Sequence, residues 1–295
     1  MNKLSIGETV RFAYGFTLRE LGTIIGLIWV PMVALAVISF LPYALGDTAR
    51  SPDINSGAAG AIALRSLALS LISILLTACV TVPVLRQAMG LRKGPAFIHV
   101  SLGAAELRLW GGYLLLIGIT IILMLGLMLA VVTAAVAANA IGSKVLGAAL
   151  SALIVLAGIC AMLYALVRLS FLLGPVVVAE NRLTLERGWL LTAGNFWRIV
   201  AVLFFVTLPF ALVFLGAFVF LLGPDTVALY HRAMEQNMDQ QQIADRMQAI
   251  VDSHISIILG VQLIIAPFSV GLSSAAAGYA YKILSPGVPA STPRP

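Results

Sequence analysis

The chain has few charged side chains, and this scarcity limits the class of protein to which it can belong more than any other feature does. Only 10% of the 295 residues are Asp, Glu, Lys or Arg, whereas an average soluble domain has about 25%. Hydrophobic residues make up 61% of the sequence. Because so little polar surface cannot coat a water-soluble globule, the hydrophobic excess must face lipid. The composition predicts an integral membrane protein without a large soluble catalytic domain.

Cysteine and histidine are also scarce, which restricts metal chemistry. Cys79 and Cys160 each lie inside a long apolar run, where a thiol behaves as a small buried hydrophobe. The histidines are His99, His231 and His254, and no two of them have the i, i+4 spacing of a metal-binding helix. These residues predict no metal site and no cofactor.

Signatures of catalysis and of nucleotide binding are missing from the sequence. The apolar runs have no acidic residue in their central turns, where proton pumps and intramembrane proteases ordinarily need one. There is no P-loop and no dinucleotide-binding glycine fingerprint. The net charge of +6 is spread between the apolar runs rather than massed in one patch. We therefore expect neither an enzyme nor a nucleic-acid-binding protein.

Six long apolar runs are present, and each can cross about 30 Å of hydrocarbon as a helix. A barrel is not expected, because barrel strands alternate apolar and polar residues and these runs do not. The sequence predicts an all-α polytopic bundle forming a single domain over residues 1–284, followed by a disordered tail at 285–295. The predicted spans are 21–45, 61–85, 110–138, 146–167, 199–223 and 255–284.

The distribution of Lys and Arg predicts the orientation of the bundle. Thirteen of these residues fall at the N-terminus, in the second and fourth connectors and at the C-terminal end. The other side of the predicted bundle has five, namely Arg50, Arg65, Lys144, Arg232 and Arg246. The positive-inside rule therefore places both termini in the cytoplasm.

Two connecting segments have the pattern of amphipathic helices in the headgroup region. In 5–21, apolar residues recur at helical spacing, and Ser5 with Glu8 fits a capping box. Segment 180–198 combines Trp189 and other aromatic residues with arginines. We expect an interfacial helix in each segment, the alternative for 180–198 being a short loop with interfacial anchors.

Three short motifs suggest an internal repeat. Each opens an amphipathic stretch that leads into a span, and each is followed 25 or 26 residues later by a helix-weakening residue. The pattern predicts three copies of an interfacial helix with a pair of spans, and chance agreement of short motifs is the alternative. The motifs begin at Ser5, Ser101 and Thr184, and the helix-weakening residues are Pro31, Gly126 and Pro209.

The connector 224–253 is the longest predicted outer loop, and it is polar and mainly acidic. Apolar residues recur in it at three- and four-residue steps, so much of it should be helical. Pro224 and Asp225 supply a helix start signal. Two interpretations stay open: a helix lying back over the mouth of the bundle, or a docking surface for a membrane or periplasmic protein.

The most suggestive polar group surrounds the end of the fourth span. Arg168 falls near the predicted cytoplasmic boundary, and Gly174 with Pro175 should break the helix and turn the chain back. Glu180 could then approach Arg168 or Arg187. The group is either a structural pair that fixes this elbow or a contact for a lipid phosphate or a substrate.

Helix-packing signals occur in several spans. Small residues recur every four positions, which lets helix backbones approach closely. Proline within a span predicts a kink, which transporters use to line cavities but which is common in ordinary bundles. The small residues are Ala130, Ala134 and Ala138, with the pairs Gly271/Ala275 and Ser274/Gly278; the prolines are Pro31, Pro209 and Pro267.

Two stretches resemble a known family. The run RLSFLLGPVVVAE at 168–180 is followed by GWLLT at 188–192 and FWR at 196–198, and AGYAY at 277–281 ends the sixth span. They resemble a bacterial family of six-span proteins related to the membrane domain attached to some glycerophosphoryl diester phosphodiesterases. The resemblance implies a bacterial inner-membrane protein. It does not imply phosphodiesterase activity, which belongs to a separate soluble domain with clustered histidine and acidic residues.

These observations favour a non-enzymatic membrane module that assists a partner protein or organises membrane lipids. The alternative is a transporter or exporter of a lipid-like or small amphiphilic molecule. A carrier should have a cavity between its spans that reaches Arg168 or Arg65, whereas a scaffold can be packed throughout. A third hypothesis is an enzyme that acts on lipid headgroups through Glu180.

Overall fold

The computed structural model describes residues 3–44, 57–92, 102–140, 144–236 and 238–285. These residues lie in helices or in the turns between them, and no strand occurs among them. The described helices are α1 (Ile6–Arg19), α2 (Leu21–Ala44), α3 (Gly57–Ala88), α4 (Ala104–Ala140), α5 (Lys144–Ser170), α6 (Leu173–Glu180), α7 (Leu185–Thr192), α8 (Phe196–Gln236), α9 (Gln240–Ser253) and α10 (Ile255–Leu284).

Six stretches of the described chain are helical, long and apolar enough to cross a membrane. They are α2, α3, α4, α5 continued by α6, α8 and α10. The 24 residues of α2, the shortest of these helices, rise about 36 Å, which exceeds the roughly 30 Å of hydrocarbon. The prediction of an all-α, multi-pass membrane bundle with six spans is confirmed.

Several helices extend past the predicted spans. α3 exceeds 61–85 at both ends, α4 begins at Ala104 rather than at residue 110, and α8 continues well beyond residue 223. Hydropathy detects only the apolar part of a helix, so polar turns at its ends are missed.

Of the predicted disordered tail at 285–295, the structure describes only Ser285, which is the C-cap residue of α10. Residues 286–295 lie outside the described chain.

One face of the N-terminal helix α1 packs against the bundle, and the opposite face is exposed. Ala13, Phe16 and Thr17 are buried, largely against α10 and α8, whereas Glu8 and Arg11 are exposed. The predicted capping box is wrong, since Ser5 occupies the N-cap position but its side chain makes no capping hydrogen bond with the described residues. The placement of α1 in the headgroup region stays a prediction.

The predicted interfacial helix over 180–198 is wrong in extent. The chain forms only the eight-residue helix α7 there, because two turns interrupt the segment. Asn181, after α6, has a left-handed φ of 54°, and Gly194, before α8, has φ +75°. Left-handed residues end α-helices, so the segment is divided among α6, α7 and the start of α8.

Helix α6 is an internal element that joins two buried clusters. Six of its eight residues are buried, and it packs against α3, α4 and α10. Val176 belongs to a cluster formed mainly with α1, α2, α3, α8 and α10. Leu173 and Val177 belong to a second cluster with α3 and α4. The hairpin of α4 and α5 is therefore attached to the other spans partly through α6.

The predicted kink prolines lie inside continuous helices. α2 continues through Pro31, α8 through Pro209 and α10 through Pro267. Proline is tolerated in membrane spans, because neighbouring groups satisfy the carbonyl that it leaves free. Bends at these positions stay predictions.

Small residues on α10 lie where the helices approach closely. A Cβ atom added to Gly271 would lie 2.8 Å from Thr17 Cγ2 and 2.9 Å from Ile24 Cδ1. Ser274 and Ala275 are buried, and a Cβ on Gly278 would lie 3.2 Å from the Met89 side chain. On α4, Ala130 and Ala134 are half-buried, and the Ala138 side chain lies outside the described part.

The three predicted repeat units differ in their first element. Separate helices, α1 and α7, precede α2 and α8, whereas α4 runs without a break from Ala104 into its span. The second motif is only partly covered, because Ser101 lies outside the described residues. The internal repeat stays a prediction.

The segment 224–253 forms what we term the outer hairpin. The predicted helix start at Pro224 and Asp225 is wrong, because α8 passes through both residues to Gln236. The second helix, α9, begins after Asp239, whose side chain accepts a hydrogen bond of 2.8 Å from the Gln242 backbone N–H. α9 packs on α8 and on α10, and both interpretations of this segment, a helix over the bundle mouth and a docking surface, stay predictions.

Candidate functional site

Arg168 occupies the last turn of α5, and its guanidinium is enclosed by protein groups. Only 6% of the residue is exposed. Its Nη1 donates to the Tyr164 hydroxyl at 2.8 Å, its Nη2 to the Trp189 carbonyl at 2.5 Å, and its Nε to Thr192 Oγ1 at 3.3 Å. The guanidinium carbon lies 3.8 Å from the centroid of the Trp189 ring, in cation–π geometry. Arg168 therefore ties α5 to α7.

Glu180 is the centre of a second polar cluster. Its Oε1 accepts hydrogen bonds from Arg187 Nε at 3.1 Å and from the Tyr281 hydroxyl at 2.9 Å. Glu180 is 18% exposed in its side chain and Arg187 is 39% exposed, so the ion pair is partly screened by solvent. The cluster joins the end of α6 to α7 and α10.

The two clusters correct the predicted elbow. Glu180 pairs with Arg187, as one of the two predicted alternatives states, whereas Arg168 contacts Tyr164 and the α7 segment. The helix break falls at residues 171–172, ahead of the predicted Gly174–Pro175. Pro175 lies in the first turn of α6, where its missing N–H costs no helical hydrogen bond.

A buried carboxylate on α4 was not predicted from the sequence. Glu106 is 0% exposed, and its Oε1 lies 3.7 Å from Arg86 Nη1 on α3. Its Oε2 accepts a 3.0 Å hydrogen bond from the Gly103 backbone N–H. The spacing from Gly103 to Glu106, N-cap to third helical residue, is the signal that could have identified this cap. The Arg86 contact spans two helices and has no local signature.

A polar contact between the chain's N-terminal segment and α8 was also missed. Asn195 Oδ1 accepts a 3.0 Å hydrogen bond from the Leu4 backbone N–H, and Arg198 Nη1 donates to the Leu4 carbonyl at 2.9 Å. These contacts use both backbone groups of Leu4, whose side chain is buried. They fix the segment before α1 on the start of α8.

Two adjoining cavities lie between α2, α3, α8 and α10, and we term them together the lateral groove. Their volumes are about 150 and 270 Å³, and both are lined by Met32, Leu35, Thr77 and Gln262. A further cavity of about 350 Å³ lies between α3, α4 and α5 and is almost entirely apolar. The carrier hypothesis expected a cavity that reaches Arg168 or Arg65. Neither arginine lines any of these three cavities.

The histidines do not form a metal centre in the described chain. No group of three or more His, Cys, Asp or Glu residues that could bind a metal is present in the described ranges. His254 Nε2 lies 4.0 Å from Asp225 Oδ2, which joins the start of α10 to α8. His231 is exposed, and His99 lies outside the described residues.

Comparisons with protein-family models, with curated protein sequences and with solved structures gave no match. The resemblance of 168–180 and 277–281 to a six-span bacterial family therefore stays a prediction.

Replacing Glu180 with Gln tests whether this carboxylate is structural or catalytic. We expect Glu180→Gln to leave growth and the cellular lipid profile unchanged and to lower the unfolding free energy by about 1 kcal/mol, because the partly exposed ion pair with Arg187 is lost. Lipid mass spectrometry and thermal unfolding measure the two effects. Glu186→Gln, at an exposed acid on α7, is the matched control. An altered lipid profile for Glu180→Gln alone would support the headgroup enzyme.

Proposed function

We propose that this protein is a non-enzymatic membrane scaffold that binds a partner protein through its outer hairpin. The observation that carries the proposal is an apolar stripe on the distal part of α8 that the described residues leave exposed. Val227, Tyr230 and Met234 are 57%, 53% and 80% exposed and share one helix face. The stripe lies beyond Asp225, on the part of α8 that follows the predicted span 199–223.

The outer hairpin is long enough to project from the membrane. The 41 residues of α8 rise about 62 Å, roughly twice the thickness of the hydrocarbon core. Leu229 and Ala233, on an adjacent face of α8, are buried, so the hairpin has an internal contact surface distinct from the stripe. No residue of α9 is fully buried in the described chain, which leaves its polar side free.

Charge indicates the chemistry of the partner. Segment 224–253 has five acidic residues and two arginines, and Glu235, Asp239 and Asp245 are exposed. An apolar stripe beside acidic side chains fits an amphipathic helix whose apolar face is flanked by Lys or Arg. We propose such a helix, contributed by another protein, as the occupant.

The proposal includes a location and an orientation. The excess of Lys and Arg at the end of the bundle with α1, α6 and α7 supports a cytoplasmic position for that end and for both termini. The outer hairpin would then project into the periplasm from a bacterial inner membrane, where its partner would dock. Membrane lipids are the other contacts of the module.

Co-purification with stripe variants tests the docking surface. We expect Tyr230→Ala combined with Met234→Ala to reduce the stoichiometric retention of one partner at least tenfold, because exposed aromatic and Met anchors dominate such contacts. Quantitative mass spectrometry of the tagged protein in native lipid particles gives the ratio. Higher salt should weaken retention through the acidic rim.

Gln240→Ala, on the exposed start of α9, is the control and should retain the partner. Retention of the same partner by the stripe variant, or its loss from both variants, would contradict docking at the stripe. Self-association through the stripe would replace the proposed partner by a second copy of the chain.

The carrier hypothesis is the second candidate, and one observation favours it. The lateral groove lies between spans, as a carrier site would. Its lining lacks the arginines that were expected to contact the substrate, so the scaffold remains the function that the geometry supports better.

A further inference from the structure

The lateral groove has a polar group whose hydrogen bonds are not used within the protein. Gln262 lines both cavities of the groove and is exposed, and its amide has no hydrogen-bond partner in the part of the chain that the structure describes. It belongs to an apolar span, where an amide without a partner is unfavourable. A ligand that accepts a hydrogen bond from Gln262 would remove this cost.

Three of the four hydroxyl groups that line the groove already donate hydrogen bonds, and this limits the kind of ligand that fits. Thr77, Thr81 and Ser269 donate to carbonyls of their own helices, at distances of 2.8, 2.8 and 3.0 Å. Their hydrogens are therefore already used, and the groove donors without a partner in the described chain are the Gln262 amide on α10 and the Ser39 hydroxyl on α2. The matching ligand group is a neutral acceptor such as a carbonyl.

The depth of Gln262 in the membrane indicates which lipid carbonyl groups it can reach. Eight residues, or about 12 Å along α10, separate it from His254, whose contact with Asp225 marks the polar end of the span. Because the headgroup region is about 5–8 Å thick on each side, this backbone position lies a few ångströms inside the hydrocarbon core, from which a Gln side chain can extend toward the ester groups of glycerolipids. From Gln262 the groove continues along apolar residues to Val270 and Phe214, a surface suited to an acyl chain.

We propose that the lateral groove binds one acyl chain of an ester-linked membrane glycerolipid, with the Gln262 amide donating a hydrogen bond to the ester carbonyl. The site is separate from the outer hairpin, so a test of lipid binding here does not depend on whether a partner docks there. The lipid would fill the space between α2, α3, α8 and α10 and stabilise their arrangement.

A competition between ester and ether lipids tests this site. The protein is reconstituted with equal amounts of diacyl and dialkyl phosphatidylcholine of equal chain length, and bound lipid is identified by native mass spectrometry. We expect wild type to retain the ester lipid about fivefold over the ether lipid, as one additional hydrogen bond predicts. Gln262→Leu should bring the ratio to about one, whereas the Gln240→Leu control should keep the wild-type ratio.

A ratio of one in wild type, or an unchanged ratio in Gln262→Leu, would overturn the proposal. Wild-type protein with a photoreactive acyl-chain lipid provides a second measurement that needs no variant. Crosslinks should map to groove residues such as Met32, Leu35 and Leu263. Crosslinks confined to the outward faces of α4 and α5 would contradict the site.

Discussion

Replacing Arg168 with Ala should destabilise the bundle more than any other single replacement of a charged residue at its arginine-rich end. The guanidinium donates three hydrogen bonds and stacks on Trp189, and the residue is 6% exposed. Hydrogen bonds to a charged group contribute about 1.5–3 kcal/mol each and a desolvated cation–π contact about 2 kcal/mol, not additively. We expect Arg168→Ala to reduce the unfolding free energy by about 3–5 kcal/mol, measured by denaturant titration in bicelles.

Two further variants separate structure from ligand binding at this position. Arg168→Lys should be intermediate, because an ammonium group keeps the charge but lacks the planar fork that reaches Tyr164, Trp189 and Thr192 together. Arg182→Ala, at an exposed arginine in the same connector, should change stability by no more than about 0.5 kcal/mol. Equal stability of the Arg168→Ala and Arg182→Ala variants would reject the structural role and favour the lipid-phosphate contact.

Adding one methyl group at Gly271 should have the second-largest effect. The new Cβ atom would lie 2.8 Å from Thr17 Cγ2 and 2.9 Å from Ile24 Cδ1, so α10 could no longer pack as closely on α1 and α2. Overpacking of this kind costs about 1–3 kcal/mol. We expect Gly271→Ala to lower the unfolding free energy by that amount and Gly271→Leu to prevent stable assembly, both measured by thermal unfolding.

Gly260→Ala on the same helix is the matched control. No atom lies within 4 Å of a Cβ built there, and alanine favours a helix over glycine by about 0.5–1 kcal/mol. The two alanine variants should therefore change stability in opposite directions. A gain of stability in both would show that α10 does not approach α1 and α2 closely at Gly271.

Hydropathy predicted the six spans because a lipid-facing helix needs about 20 apolar residues in succession, and such runs are visible in any sequence. It did not predict which apolar residues face protein. Val176 and Val177 in α6 are completely buried and join two clusters, whereas Val219 and Phe220 in α8 are largely exposed. Lipid and protein interior are equally apolar, so composition does not distinguish these positions.

The helix ends and the polar contacts were predicted less well. Pro224 predicted a helix start, but α8 continues through this residue. A single proline removes only one backbone hydrogen-bond donor, which a long helix tolerates. The pairing of Glu180 with Arg187 was among the alternatives, since both lie in one short connector. The contact of Glu106 with Arg86 and that of Gln262 with the groove depend on how distant helices pack, which spacing along the chain does not specify.

Site-specific photocrosslinking in intact cells tests the proposed docking surface most directly. A photoreactive phenylalanine analogue replaces Tyr230 in the exposed stripe or, as the control, Gln240 at the start of α9. The scaffold account predicts a crosslink from position 230 to one protein that has an amphipathic helix with basic flanks, and little or none from position 240. Crosslinks to lipid alone at position 230, or equal protein crosslinks at both positions, would contradict it.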